Sequence, residues 1–288
     1  MSEVEDSKTL GSPLVSVIIR TCGRPHILKN AIESVVNQDY ANIEIVVVED
    51  GSSTSEHVVR ECCKKVSFQY YHTAEKVGRT VVGNLGLQRA KGEYFNFLDD
   101  DDILFHQHID VLVSEAVKHN KLVVYAIAEE HQIKEGGKTS YPYKVKRKLV
   151  KFAQQYNKLL LCYKNYLPIQ SVIFHRSLFE QYGGFDESLD YMEDWDMWVR
   201  YSSVCDFFFV PQITSIYYTP YKNRKKQERD ILMKEARRKI ILKHSNYDVH
   251  INAEQINNDM EYILNVYTKT GLFFYMKKIR DLLLYKDT

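Results

Sequence analysis

Four consecutive carboxylates follow a short apolar run at Phe97-Leu98-Asp99-Asp100-Asp101-Asp102. Neighbouring carboxylates repel and raise one another's pKa, so the run calls for something cationic. A hard divalent ion, Mn²⁺ or Mg²⁺, is the economical partner, because Mg²⁺ typically takes one or two carboxylates and completes its shell with substrate phosphates. The competing reading is a solvated acidic turn at the start of the next helix, where the dipole favours negative charge. A position at the carboxyl end of a central strand favours the metal.

Two further acidic clusters could do chemistry. In Glu49-Asp50-Gly51-Ser52 a carboxylate can accept from a base N–H or a ribose hydroxyl while Gly51 permits a tight turn; an ordinary strand-to-helix turn is the alternative. Glu193-Asp194-Trp195-Asp196 follows a Gly183-Gly184-Phe185-Asp186 turn, and helical spacing sets Asp194 on one face with Met197 and Trp198. Apolar surroundings raise a carboxyl's pKa, which suits a base that takes a proton from a sugar hydroxyl. An exposed acidic first turn would look the same in sequence. His106 and His108 are two residues apart and do not share a helical face, so joint metal ligation is not expected.

The elements that must position these clusters can be read from periodicity. Val15 to Ile19 and Ile43 to Val48 are β-branched runs, and Ile27, Leu28, Ala31, Ile32, Val35 and Val36 recur at helical spacing between them. Helices over Glu56 to Cys63 and Val81 to Arg89 alternate with strands at Phe68 to Tyr71 and Tyr94 to Leu98. That alternation predicts an α/β, doubly wound sheet, in which ligands bind beyond the carboxyl ends of the strands. Thr21 to Arg24, Glu49 to Ser52 and Asp99 to Asp102 all fall at such ends. Beyond Asp110 a helix to about His119 and a strand near Leu122 to Ala128 are expected. Asp194 to Tyr201 reads as a helix, Phe207 to Val210 and Ile216 to Tyr218 as two short strands, and everything from Arg224 as helical.

Composition narrows the class. The 288 residues are 44% hydrophobic and 27% charged, an ordinary globular balance, with no apolar run near the roughly 20 residues that span a bilayer. The polar start, MSEVEDSKTLGSP, has no signal-peptide character, so a cytoplasmic chain is expected. Five cysteines without paired zinc spacing are expected to be free thiols. The net charge of +1 hides a basic stretch from Lys222 to Lys243 with ten Lys/Arg against three Asp/Glu, and another from Lys144 to Lys151. No nucleic-acid-binding motif accompanies them, so nucleic acid is not an expected partner. Lys222 to Lys243 and Gly271 to Tyr285 both read as amphipathic and basic, with apolar faces beside Lys/Arg. Either they complete the core or a homo-oligomer contact, or they lie peripherally on the inner face of an anionic membrane.

Pro13-Leu-Val-Ser-Val-Ile-Ile-Arg-Thr-Cys-Gly-Arg-Pro25, Ala31-Ile-Glu-Ser-Val-Val-Asn-Gln38, Val48-Glu-Asp-Gly-Ser52 and Lys91 to Asp102, in that order and spacing, resemble the family-two inverting glycosyltransferases with the GT-A fold. The likeness resumes at Gly183 to Tyr201. It implies a GT-A nucleotide-sugar-binding domain at 13–220 with a sheet flanked by helices; a disordered segment at 1–12 and a helical C-terminal extension at 221–288 are expected on either side of it. It further implies that Thr21 and Arg24 line the nucleotide and that Asp50, beside Glu49, contacts the base. Asp99 and Asp101 match the family's DxD pair at the ribose and the metal-bound diphosphate, with Asp100 between them. Asp194, with Glu193 beside it, matches the acid usually taken as base.

The chain also departs from the family. Glu49 stands where a second Asp is frequent, and Val82-Gly83-Asn84 where Ala-Arg-Asn is common, with Arg79 the candidate for the missing arginine. Tyr217-Tyr218-Thr219-Pro220 occupies the region of a His that assists at the metal in many members. The Gln-x-x-Arg-Trp motif of processive synthases is absent, which points to single addition. The expected substrates are a nucleotide sugar, UDP-linked first, and a glycan or lipid-linked acceptor of bacterial surface polysaccharide synthesis. Two alternatives stay open: an inactive nucleotide-binding scaffold, and a sugar-phosphate nucleotidyltransferase, although Arg20-Thr-Cys-Gly-Arg24 is too poor in glycine for the latter's phosphate loop.

Overall fold

The computed structural model describes residues 12–133, 143–221, 224–246 and 251–264. The first half alternates β1 (Val15–Thr21), α1 (Pro25–Val36), β2 (Ile43–Glu49), α2 (Glu56–Cys62), β3 (Ser67–His72), α3 (Arg79–Arg89) and β4 (Tyr94–Asp99). Then come β5 (Ile103–Leu104), α4 (His108–Lys118), β6 (Val123–Ile133), β7 (Val145–Val150), α5 (Lys158–Tyr163), β8 (Val172–His175) and α6 (Arg176–Tyr182). The described elements end with α7 (Glu193–Ser202), β9 (Phe208–Pro220) and α8 (Arg224–Lys243), and residues 253–264 are again helical.

The strands form one sheet in the order β3-β2-β1-β4-β8-β6-β9-β5, with β7 added beside β6. Its first four strands are parallel, and β8 then enters antiparallel to both β4 and β6. Every residue of β1 and β2 is buried, as central strands covered on both faces must be. Val15, Val17 and Ile19 pack with α1 and α4 on one face, while Ile18 packs with Phe97, Val82, Leu87 and Trp198 on the other. The two-residue period sends the Arg20 side chain to the Ile18 face. Trp195 and Trp198 of α7 are wholly buried there, and truncation of such a residue to Ala typically costs about 3–5 kcal/mol.

The expected α/β class is present, and three expectations need correction. Phe207 to Val210 and Ile216 to Tyr218 are not separate strands: from Phe208 on, both belong to β9, which pairs with β6 on either side of a bulge. The register jumps from Ala126↔Val210 to Ile127↔Ile213, so the extra residues, Pro211 among them, bulge out and hide the strand's period. The extension is not helical throughout, because α8 ends at Lys243 and the next described helix begins at 253. Nor does α8 carry one apolar face. Ala236 and Ile240 are buried, while Ile231 and Leu242 on the opposite side are 57% and 63% exposed.

The expectations for residues 1–11 and for Gly271 to Tyr285 lie outside the described residues. All five cysteines are free. Among the described residues no helix is long and apolar enough to cross a membrane.

Candidate active site

The parallel register sets β1, β2 and β4 level at their carboxyl ends, with Arg20 opposite Asp99 and Thr21 opposite Glu49. A pocket of about 1120 Å³ opens above them. It runs from Asp50 at one side to Glu130, Tyr217 and Tyr218 at the other, and α8 supplies part of its wall. Of the residues singled out from sequence, Thr21, Arg24, Asp50, Arg79, Asp99, Asp100, Asp101, Glu193 and Asp194 all line it.

Glu49 does not. Its carboxylate is buried beneath the turn, accepting from the Thr54, Ser55 and Gly23 N–H groups and from the Thr54, Ser55 and Tyr70 hydroxyls. Burial pushes its pKa up, but these donors outweigh that and hold it below the usual range. Glu49 therefore braces the turn after β2 and has no acceptor capacity left for a ligand. Asp50, one residue on, faces the pocket while accepting from the N–H groups of Val77 (2.7 Å) and Gly78 (3.2 Å). Gly78 holds φ of +100°, a conformation that favours glycine, and so delivers Arg79 to the pocket as the first residue of α3.

Arg20 organises the floor, and sequence reading passed over it. Its guanidinium donates to Asp99 Oδ1 (2.6 and 3.0 Å) and to Glu193 Oε1 (2.9 Å), between the Phe97 and Phe185 rings at 5.5 and 5.4 Å. Arg79 completes a four-charge cluster, reaching Asp99 Oδ2 at 2.7 Å and Glu193 at 3.2 Å. Burial raises the Asp99 pKa, yet Arg20 and Arg79 overcome it and hold the carboxylate at about 2. The signal in the sequence was a lone arginine inside a buried strand, which demands carboxylate partners. Close packing supports the cluster: a Cβ on Gly83 would sit 2.6 Å from the Phe185 ring and 3.4 Å from the Arg20 stem.

The remaining aspartates divide by role. Asp100 is buried and binds the Thr21 hydroxyl (2.7 Å) and the Arg24 guanidinium, while burial and Asp101 push its pKa up. Asp102 is buried and accepts from the Tyr218 N–H at 3.2 Å, joining the run to β9. Asp101 is the least engaged, with Arg24 at 3.4 Å and a third of its side chain exposed. Both carboxylates expected to bind metal thus line the pocket, but Asp99 is already committed to two arginines. Among the described residues no group of three His, Cys, Asp or Glu could by itself hold a metal. An oxygen-only set led by Asp101 fits a hard cation that takes its other ligands from phosphate and water. Neither His106 nor His108 lines the pocket; they bind Asp39 and Thr214.

Asp194 occupies a different environment. Met192 ahead of it is left-handed at φ 59°, a strained turn into α7 that aims the first helical turn at the pocket. Glu193 is paired with Arg20 and Arg79, whereas among the described residues Asp194 accepts only from Asn165 Nδ2 (2.9 Å) and its neighbour's N–H (Trp195, 2.9 Å). Burial and then the Glu193 charge push its pKa up to about 7. Glu193 is thus paired with two guanidiniums; Asp194 shares its upward shift to about 7 with Asp100, but Asp100 is bound to Arg24, whereas Asp194 has no cation in contact among the described residues. Asn165 lies in an irregular segment after α5, where no local pattern marked it.

The family model described as glycosyl transferase family 2 matches residues 16–183. An uncharacterized glycosyltransferase of Rickettsia typhi is 31% identical over 207 residues, covering 69% of this chain and 61% of the relative. The crystal structure of S. aureus TarS 1–349 with UDP-GlcNAc superimposes with a TM-score of 0.64 at 17% identity, covering 88% of this chain and 73% of that one. A mannosyltransferase from Pyrobaculum calidifontis, solved with GDP-Man and Mn²⁺, gives 0.58 at 16% identity, covering 96% and 82%. The likeness to the two structures is one of fold, GT-A, and the matched region holds the strands that carry Arg20, Asp50 and the aspartate run. On that match the chain belongs to glycosyl transferase family 2.

Proposed function

We propose that this protein transfers a sugar from a nucleotide sugar, UDP-linked in the first instance, to an acceptor hydroxyl with inversion at the anomeric carbon. The observation that carries the reading is Asp194: a buried carboxyl with its pKa raised to about 7, in one pocket with the aspartate run. The UDP-GlcNAc bound by TarS makes that donor the first to test.

In this reading Asp50 and Thr21 meet the nucleoside at the β2 side of the pocket. Arg20 and Arg79 keep Asp99 ionised and in position. Asp101, with Asp99, would hold a divalent ion, which supplies positive charge to the diphosphate leaving group. Asp194 takes the proton of the acceptor hydroxyl as its oxygen bonds to the anomeric carbon, and the bond to the diphosphate breaks with its electron pair on the departing nucleoside diphosphate. A single displacement of this kind inverts the configuration. Asn165 and the Trp195 N–H each donate to one oxygen of the Asp194 carboxylate and fix its orientation, and the proton goes to a remaining lone pair. The same reading keeps the protein in the cytoplasm, with a peripheral contact to the inner face of the membrane through α8.

Chelation tests the metal part. EDTA should abolish nucleotide release and Mn²⁺ or Mg²⁺ restore it, while Asp101→Asn should weaken donor and metal binding together. Full turnover in chelator would refute the metal role.

A further inference from the structure

The cations of the pocket fall into two groups. On the floor, Arg20, Arg24 and Arg79 are each matched to carboxylates. On the wall, Lys151, Arg229, Lys234 and Arg237 face the same space, and none of the four has a carboxylate within ion-pair distance among the described residues. Arg229 and Arg237 lie two turns apart along one side of α8, with Lys234 beside them. Glu130 and Asp230 share this side of the pocket, but Glu130 is already bound to the Thr219 hydroxyl at 2.6 Å. The wall is left with a positive excess, and grouped like charges at a concave surface are stabilised by an anion.

Sheet order says which substrate meets that wall. Asp50 stands after β2, whereas Lys151 follows β7, which lies beyond β1, β4, β8 and β6 on the far side. The Arg237 guanidinium donates to the Tyr163 carbonyl at 3.0 Å, two residues before the Asn165 that holds Asp194. The wall therefore adjoins the base, where the accepting hydroxyl must arrive, and is remote from the nucleoside end. We infer that it recognises an acceptor carrying phosphate, a phosphodiester or diphosphate close to the accepting hydroxyl. Arg and Lys suit that role because phosphate takes charge-assisted hydrogen bonds from both. This inference rests on the pocket being a glycosyl-transfer site.

The test is titration of pyrophosphate into protein saturated with UDP and Mn²⁺, so that the donor site is filled, with the Arg229→Gln/Lys234→Gln double variant alongside. Both side chains are exposed, and thermal melts check that the variant is folded. The wild type should bind a second anion, the variant should bind it at least tenfold more weakly, and UDP affinity should change less than twofold. Absence of a second anion in the wild type would overturn the inference, as would an equal loss of UDP and pyrophosphate, which would assign the cations to the donor. Farnesyl diphosphate and a glycerol phosphate trimer then compete against pyrophosphate, the tighter competitor separating a lipid-linked diphosphate from a phosphodiester polymer. UDP-GlcNAc turnover is measured on the same samples. Turnover without a second anion sinks the wall alone, and a second anion without nucleotide release from any nucleotide sugar sinks the transfer reading.

Discussion

Glu193 and Asp194 are adjacent carboxylates in different electrostatic states. Two guanidiniums bind Glu193, while a single amide and a backbone N–H face Asp194, whose pKa is pushed up to about 7 by burial and the Glu193 charge. As a base Asp194 must be ionised, so kcat/KM should rise about tenfold per pH unit below about 7 and level off above it. Asp194→Asn should lower kcat by about 10²–10⁴-fold with donor affinity nearly intact. If Glu193→Gln alone abolishes turnover while Asp194→Asn retains it, the two roles are exchanged. The same shift carries a stability signature. A carboxyl whose folded pKa is raised above its unfolded value loses stability as pH rises between the two, here from about 4 to about 7. Asp194→Asn should therefore melt higher than wild type at pH 8, and that gain should shrink toward pH 4. A variant that melts lower at pH 8 would show that Asp194 is not a strained ionised group.

Elements deliver these residues through register and close approach. The β1–β4 register puts Arg20 against Asp99, and the packing of α3 lets Phe185 close over the guanidinium only because residue 83 lacks a side chain. Gly83→Ala should push Phe185 and Arg20 apart, costing about 1–3 kcal/mol as overpacking does and lowering turnover through a displaced Glu193. Unchanged melting and unchanged kcat would show that the neighbours yield freely. Strand ends and the aspartate run were legible in sequence because buried parallel strands read as continuous apolar stretches ending in polar residues. Glu49 and Asp50 were not distinguishable, since only the Tyr70, Thr54 and Ser55 donors reveal that Glu49 turns inward. Asn165 and the bulged β9 were hidden for a related reason: their positions depend on contacts distant in sequence.

At the scale of the whole molecule, α8 forms part of the wall of the pocket that the aspartate run and Asp194 line. Lys243 reaches Asp186 (2.6 Å) and Asp196 (2.8 Å), and His244 also binds Asp196 at 2.8 Å, so the helix is fastened to α7 two residues from Asp194. Burial works against ionisation of Asp196, but His244, Lys243 and Arg200 prevail and hold it at about 2. Carboxylates with depressed folded pKa contribute stability that is present above their unfolded pKa and lost as pH falls through the folded one. Asp99 and Asp196 together place that loss between about 4 and about 2, where the melting temperature should fall steeply and α8 should detach. A melting temperature flat across that window would contradict both ion-pair clusters.

The most direct measurement of the transfer chemistry is time-resolved proton NMR of UDP-GlcNAc and other nucleotide sugars with the protein and Mn²⁺. Wild type should release the nucleoside diphosphate and form, before mutarotation, a sugar of inverted anomeric configuration, and Asp194→Asn should slow this by about 10²–10⁴-fold. A product that retains the donor configuration, or no nucleotide release from any nucleotide sugar, would contradict the assignment of Asp194 as the base of a single displacement.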